Sequence, residues 1–406
     1  MVEDNNLKLG DLLEKNIIKK SIKDNELVTF IPMESVSEEG RLLGQYVMRQ
    51  SEVKKGLTYF EKNDVIVAKI TPCFENGKGA CLDELNTNIG YGSTEFHVLR
   101  ARRDAVPRYI YYHTHSNNFR KKLEREMVGS AGQKRVPLNL IFQYPLKVSH
   151  SLDEQYKISE VLSDIDNLIV SIEKLICKKQ KIKRGVMQEL LTGKKRLEGF
   201  KREWSLTKLG EIGKCIRGVS YDPANDLKEY DAENTVRLLR SNNIFESKIN
   251  FDEVQYVNEN RVKEVQYILD NDIMICMANG SKELVGKSGI YTKKDNFKYT
   301  FGAFMGVYRI TDNRINQKYI SYLLQTYQFR NYINILLAGS SINNLKPSDI
   351  ESIEFKLPEI NEMNKITEII ADIDMEIDAL SNKLKKYNII KQGMMQELLT
   401  GRIRLV

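Results

Sequence analysis

A stretch of forty residues occurs twice in this 406-residue chain. Residues 158–197 read ISEVLSDIDNLIVSIEKLICKKQKIKRGVMQELLTGKKRL, and residues 366–405 read ITEIIADIDMEIDALSNKLKKYNIIKQGMMQELLTGRIRL. The offset is 208 without a gap, 19 of the 40 positions are identical, and MQELLTG is unchanged. A chain duplicated in this way folds into two related halves. Fainter matches extend the repeat. LKLGDLLEK from Leu7 resembles LTKLGEIGK from Leu206, and Asn63-Asp64 before VIVAKI matches Asn271-Asp272 before IMICMA. RYIYYHTHSNNFRKKLE from Arg108 matches KYISYLLQTYQFRNYIN from Lys318. The expected layout is a globular unit at 1–150, a repeated helix at 151–197, a second globular unit at 198–357 and the helix again at 358–406.

Each repeat reads as a long helix. Ile158, Leu162, Ile165, Ile169, Ile172 and Ile176 are spaced 4-3-4-3-4, as are Ile366, Ile370, Ile373, Ile377, Leu380 and Leu384. That is the a/d seam of a coiled coil. Two equal seams joined by a linker of roughly 150 residues can pair antiparallel. Gly193 and Gly401 follow LLT and suit the left-handed position that stops a helix. Gly185 and Gly393 fall mid-helix, where glycine costs roughly 1 kcal/mol against alanine. Their retention in both copies implies close approach of another backbone. Between residues 174 and 202 there are 11 Lys/Arg against 2 acids, and between 382 and 406 there are 6 against 1. The whole chain carries only +7, so its basicity is concentrated at the helix ends. A solvated face favoured by the helix dipole, phosphate contact and docking to an acidic partner all fit.

The globular units look mixed. Residues 65–70, 96–99, 273–277 and 305–310 read as strands between Gly, Asn and Asp punctuation. The Tyr-rich segments after Arg108 and Lys318 read as helices. The fold class is therefore α+β: two mixed α/β domains separated by two long helices, with a pseudo-two-fold internal repeat.

Intact catalytic motifs are missing. Thr71-Pro72-Cys73-Phe74 resembles the Asn/Asp-Pro-Pro-Tyr/Phe motif of N6-adenine methyltransferases but lacks its first polar residue and second proline. Gly280 and Gly286-Lys287-Ser288 enclose five residues where a phosphate loop needs four. The five cysteines are scattered without a C-x-x-C pair, so a reducing cytoplasm is expected and a zinc site is not. His113 and His115 sit two apart in a helical stretch, point to different sides and read as surface residues. MVEDNNLKLG is polar and acidic, unlike a signal peptide, and no apolar run reaches the roughly 20 residues that cross a bilayer. Recognition without catalysis is the favoured class. A stand-alone two-headed DNA-binding regulator or scaffold would share the layout, and a DNA adenine methyltransferase would need the motifs that are absent.

Two variable units, each followed by a near-identical helix ending in MQELLTG-R/K-x-R-L, resemble the specificity subunits of type I restriction–modification enzymes. The resemblance covers essentially the whole chain. DLLEKN, TEFHVLR and GSAGQKRV belong to it in the first unit. GEIGK, RGVSYDP, LLRSNN, DIMICMANGSKELVGK and AGSSINNLKPSDI belong to it in the second. LPEINEMNKI precedes the second helix; its counterpart SLDEQYKI follows His150, where such subunits commonly carry a proline-rich stretch. The resemblance implies that each unit is a target recognition domain reading half of a split site in double-stranded DNA. The helices would pair as an antiparallel coiled coil fixing the gap. Two methyltransferase subunits and two restriction/translocase subunits would dock on the chain. S-adenosylmethionine, ATP and Mg would belong to those partners, with no cofactor, metal or catalytic residue in this chain. A helix of 34 residues from Ile158 to Leu191 would span about 51 Å, or about 15 base pairs.

DNA-contacting side chains are expected in polar, glycine-flanked loops. In the first unit these are Lys78, Ser93, Thr94, Gln133, Lys134 and Arg135. In the second they are Arg217, Ser220, Tyr221, Arg240, Asn242, Asn243, Asn279, Ser281 and Lys282.

Overall fold

The computed structural model describes residues 7–130, 132–292, 295–338 and 342–405. The polar stretch 1–6, Ala131 of GSAGQKRV and residues 339–341 of AGSSINNLKPSDI lie outside the described residues. The chain divides into two compact units. The first holds residues 1–174 together with 381–406, and the second holds residues 175–380.

In the first unit, β1 (Leu27–Ile31), β2 (Tyr46–Arg49), β3 (Thr58–Glu61) and β6 (Ile89–Gly92) form a sheet in the order β2-β1-β6-β3. A second sheet has the order β5-β4-β7, from β4 (Val65–Ala68), β5 (Gly79–Cys81) and β7 (Phe96–Leu99). Helices α1 (Pro107–His115), α2 (Asn117–Glu124) and α3 (Leu138–Phe142) follow, and then the long α4 (Leu152–Leu190). The VIVA of β4 is buried on both faces, which is why it reads as a continuous apolar run without alternation.

The second unit repeats this order. After β8 (Ser205–Lys208), α5 (Leu209–Ile212), β9 (Gly213–Arg217), α6 (Pro223–Asp226) and β10 (Leu227–Lys228) comes β11 (Thr235–Leu239). Then follow β12 (Ile244–Phe245), β13 (Lys248–Ile249), β14 (Gln255–Asn258), β15 (Ile273–Cys276), β16 (Ser288–Ile290), β17 (Tyr299–Phe301) and β18 (Met305–Ile310). Helices α7 (Gln317–Leu323), α8 (Tyr327–Ala338) and α9 (Pro347–Glu351) lead through β19 (Glu354–Leu357) to the long α10 (Ile360–Leu399). β1 pairs antiparallel with β2 and parallel with β6; β11 pairs antiparallel with β14 and parallel with β17. The registers agree as well: Thr29 lies opposite Gly90, and its counterpart Arg237 lies opposite Tyr299.

The repeated Asn-Asp dipeptide has a structural reason. Asn63 and Asn271 take φ values of 73° and 68°, the left-handed region that asparagine tolerates. The aspartate that follows is buried. Asp64 accepts from Glu61 N at 2.8 Å and is held by Arg100 at 2.8 and 2.7 Å. Asp272 accepts from Leu269 N at 2.8 Å and is held by Arg309 at 2.9 and 2.6 Å. Each arginine thus staples the turn before the central strand β4 or β15 to the strand β7 or β18 beside it.

Both long helices extend further than their apolar seams. α4 begins at Leu152, two turns before Ile158, with Ser151 Oγ accepting from Glu154 N at 3.2 Å. Its first turn buries Glu154 and Gln155, polar residues that apolar periodicity cannot detect. Glu154 is held bidentately by Arg404 at 2.7 and 2.6 Å within the first unit, and the Arg404 guanidinium holds its carboxyl below the usual range. In the second unit Arg196 holds Glu362 at 2.7 and 2.7 Å, and Trp204 Nε1 donates to the same carboxylate at 3.0 Å.

The two seams contribute unequally along their length. Ile158 and Leu162 belong to the first unit's globular core, alongside Tyr109 and Tyr112. Ile366 and Ile370 belong to the core of the second, alongside Tyr319 and Ile320. Ile165, Ile169 and Ile172 are also buried, whereas Ile176, Ile373, Ile377, Leu380 and Leu384 are half-buried. The MQELL segments are exchanged. Met395, Leu398 and Leu399 complete the first unit's core; Met187, Leu190 and Leu191 complete that of the second. Gly193 and Gly401, at φ 70° and 71°, end the helices.

One expectation is overturned. His113 is a core residue, 4% exposed, and burial pushes its pKa down to about 3. His115 stacks on Tyr111 with ring centroids 4.1 Å apart. The reason is that α1 is covered on several sides, burying Tyr109 through Thr114, so opposite sides of this helix are both interior. The backbone expected beside Gly185 and Gly393 is not supplied by this chain: a Cβ at either would have nothing within 4 Å among the described residues.

The exchange of helix ends yields a test. Leu399→Ala, at a site 4% exposed, should cost roughly 2–5 kcal/mol and loosen the first unit. Hydrogen-exchange mass spectrometry should show protection lost in α1 and α2 while α7 and α8 keep theirs. Leu191→Ala should do the reverse. Equal losses in both units from either change would contradict this partition of the cores.

Candidate nucleic-acid interface

In the first unit, four segments converge beyond the ends of β1, β4 and β6. Ser93 N donates to Ile31 O at 3.2 Å, and Lys69 N to Glu95 O at 2.9 Å. Thr71 N donates to Lys134 O at 2.9 Å, and Val136 N to Lys69 O at 2.8 Å. The second unit makes the same four backbone bonds at the equivalent positions. Gly302 N donates to Leu239 O at 3.1 Å, and Met277 N to Phe304 O at 2.9 Å. Asn279 N donates to Asn343 O at 3.3 Å, and Leu345 N to Met277 O at 2.8 Å. Backbone bonds constrain side-chain identity little, and the two loop clusters differ in nearly every side chain. Pro32, Met33 and Glu34 of the first unit stand where the second has Arg240, Ser241 and Asn242. Ser93, Thr94 and Glu95 stand where it has Gly302, Ala303 and Phe304.

All six candidates of the first unit lie on this cluster. Thr94, Gln133 and Lys134 are exposed; Lys78, Ser93 and Arg135 are half-buried. Lys78 Nζ donates to Met33 O at 3.3 Å. Arg135 grips Glu95 at 3.0 and 2.8 Å and holds that carboxyl below the usual carboxylate range. Glu95 is absent from the expected site residues: its acidic side chain lacks the donors expected at a DNA contact, yet it neutralises Arg135.

The second unit divides its candidates. Ser220, Tyr221, Arg240 and Asn242 line one cleft of about 710 Å³, together with Pro223, Ser241 and the Gly302–Met305 turn. Asn279, Ser281 and Lys282 occupy the adjoining loop, where Asn279 Oδ1 accepts from Ser281 N at 2.9 Å. Arg217 lies beneath, donating to Ala303 O, Leu345 O and Asn344 Oδ1 at 2.7, 2.6 and 2.8 Å, and desolvation lowers its pKa. It holds the loops together. Asn243 is a correction to the expected set. It is 2% exposed, accepts from Arg240 N at 2.8 Å and donates to Asn250 O and Glu253 O at 3.0 Å each. Its amide is consumed inside the fold, so it supports the neighbouring loop and presents nothing outward. Phe304, 71% exposed on the rim of the cleft, had no polar signal by which to be found.

The near-miss motifs resolve structurally. Phe74 of Thr71-Pro72-Cys73-Phe74 is fully buried in the core, where no base can stack on it. Gly286-Lys287-Ser288 leads into strand β16, whereas a phosphate loop opens a helix whose N-terminus faces the phosphate. Burial pushes the Cys81 and Cys215 thiols up to about 12, far from a reactive thiolate. Among the described residues no group of three His, Cys, Asp or Glu could hold a metal ion, and no helix is long and apolar enough to cross a membrane.

The family described as Type I restriction modification DNA specificity domain matches residues 1–184 and again 201–389. The StySPI type I restriction enzyme specificity subunit of Salmonella potsdam is 31% identical over 200 residues, 49% of this chain and 42% of that subunit. The EcoAI specificity subunit of Escherichia coli is 44% identical over 116 residues, 28% of this chain and 20% of that subunit. The chain thus matches less than half the length of these relatives. A putative MjaX specificity subunit of Methanocaldococcus jannaschii is 27% identical over 323 residues, 76% of this chain and 71% of that one. Two solved structures share the fold, each at 15% identity over 98% of this chain and 97% of theirs. One, with a TM-score of 0.59, comes from work on complex assembly and conformational transition of the type I R-M system. The other, at 0.56, is the type I restriction–modification S subunit from M. genitalium.

Proposed function

This chain belongs to the type I restriction–modification DNA specificity family, and we propose that it is the non-catalytic reader of a bipartite double-stranded DNA target, one globular unit per half-site. The observation that carries this is the pair of loop clusters. Four identical backbone bonds hold two equivalent platforms whose exposed side chains differ. A platform fixed by main chain and varied in side chains is what two readers of different sequences require.

The long helices act as the spacer, paired as an antiparallel coiled coil. Ion pairs within each unit support that register. The start of each helix meets the segment just beyond the end of the other, through Glu154 with Arg404 and Glu362 with Arg196. Further in, Asp166 meets Lys391 at 2.5 Å, Lys183 meets Asp374 at 2.7 Å and Lys179 meets Glu376. The 39 residues of α4 span about 59 Å, or about 17 base pairs of duplex.

Methyltransferase subunits, and with them restriction/translocase subunits, dock on this scaffold and bring S-adenosylmethionine, ATP and Mg. The mid-helix glycines support docking. Gly185 and Gly393 weaken their own helices, and no described residue comes within 4 Å of where a Cβ would stand at either. Ile182 and Ile390, one turn earlier in each helix, are exposed, and so are Gln188 and Gln396 one turn later. A surface retained twice without an internal reason suits two copies of one partner whose backbone comes close.

Exchange of residues 7–150 for another reader should change one half-site and leave the other, as read by sequencing DNA methylated by the reconstituted complex. A change in both half-sites would refute independent reading. The double substitution Gly185→Ala with Gly393→Ala should stabilise the isolated chain by roughly 1 kcal/mol per site, raising its melting temperature, and weaken capture of methyltransferase subunits. Association left intact at higher stability would remove the glycines from the docking surface.

A further inference from the structure

We propose that the cleft of the second unit seats the major-groove edge of a guanine, with Arg240 as its donor. The inference rests on the DNA-reading function above and names the base that this unit requires. Arg240 stands directly after β11, and its backbone is fixed on both sides of the amide. Its N–H donates to Asn243 Oδ1 at 2.8 Å, and its carbonyl accepts from Asn243 N at 3.0 Å. The buried Asn243 is itself anchored to Asn250 and Glu253. The root of the side chain is therefore rigid.

The head group is different. Arg240 Nε is buried and has no hydrogen-bond partner among the described residues. Four arginines beside the sheets are engaged: Arg100 and Arg309 with aspartates, Arg135 with Glu95, Arg217 with two carbonyls and an amide oxygen. A buried donor without an acceptor is unfavourable, and it persists where a ligand supplies the acceptor. Among the described residues no carboxylate lines the cleft to neutralise the guanidinium.

The walls select the ligand. Tyr221 and the exposed Phe304 offer ring faces, and Asn242 and Ser220 offer small polar groups at the mouth. Guanine O6 and N7 present two coplanar acceptors to a guanidinium fork, whereas adenine places a donor beside its N7 and repels one prong. A phosphate would also accept, but it gains nothing from flanking rings. The equivalent position in the first unit is Pro32, which has no side-chain donor, so this contact belongs to one half-site only.

The test uses the full chain reconstituted with its methyltransferase subunits on a random DNA library, comparing wild type, Arg240→Ala and Arg217→Ala. Wild type should methylate sites with an invariant guanine in one half. Arg240→Ala should lose discrimination at that position alone, by roughly tenfold or more, with an unchanged salt dependence and melting temperature. Arg217→Ala should instead lower the melting temperature. If Arg240→Ala weakens every sequence alike and makes the salt dependence shallower by about one charge, Arg240 holds a phosphate and the proposal falls. An unchanged motif, or a wild-type half-site without guanine, overturns it while leaving the DNA-reading function intact. Wild type that methylates no defined bipartite site overturns that function first.

Discussion

Glu154 and Glu362 open the two long helices, and each is almost completely buried. A carboxylate in that position is tolerable only with a cation held against it, since an unpaired buried charge costs several kcal/mol. Neither unit obtains the cation from its own helix end. Arg404 reaches Glu154, and Arg196 reaches Glu362. The same exchange places Met395, Leu398 and Leu399 in one core and Met187, Leu190 and Leu191 in the other. Each helix end must therefore fit a surface coded in the other repeat. That reciprocal constraint accounts for the Met and the two Leu positions of MQELLTG being the same in both copies.

The loops are under a different constraint. The Asp64–Arg100 and Asp272–Arg309 staples and the four repeated backbone bonds fix where the loop clusters stand. They leave the outward side chains free to change. On the proposed function, stability and specificity are carried by separate atoms: main chain and buried ion pairs hold the platform, and the outward side chains are left for recognition. Where a loop residue is recruited to the scaffold, as with Arg217 and Asn243, it gives up its outward donors to do so.

Much of this was legible in the sequence, because repetition and periodicity are direct records of packing. The 4-3-4 seam, the Gly193 and Gly401 stops, the Asn-Asp turns and the runs at 96–99 and 305–310 all emerge as elements in the structure. What is not legible has mainly one cause: polarity is a poor guide to exposure. Glu154 and Gln155 begin α4 from inside the fold, and His113 lies in a helix covered on several sides. Asn243 is spent on its neighbours, and Arg135 is neutralised by an acid 40 residues away. Phe304 fails in the opposite sense, as an exposed aromatic in a cleft where polar residues were sought. Glu154 and Arg135 depend on long-range partners that no local pattern encodes.

The claim on which the rest depends is that one chain holds two readers at a separation set by its helices. Seven residues inserted in each helix beside the Lys179–Glu376 pair preserve the heptad register and lengthen the spacer by about 10 Å, close to three base pairs. Sequencing the sites methylated by the reconstituted complex reads the gap directly. Unchanged half-sites separated by about three more base pairs are the predicted result. Methylation of the original sites at the original gap and affinity would contradict it.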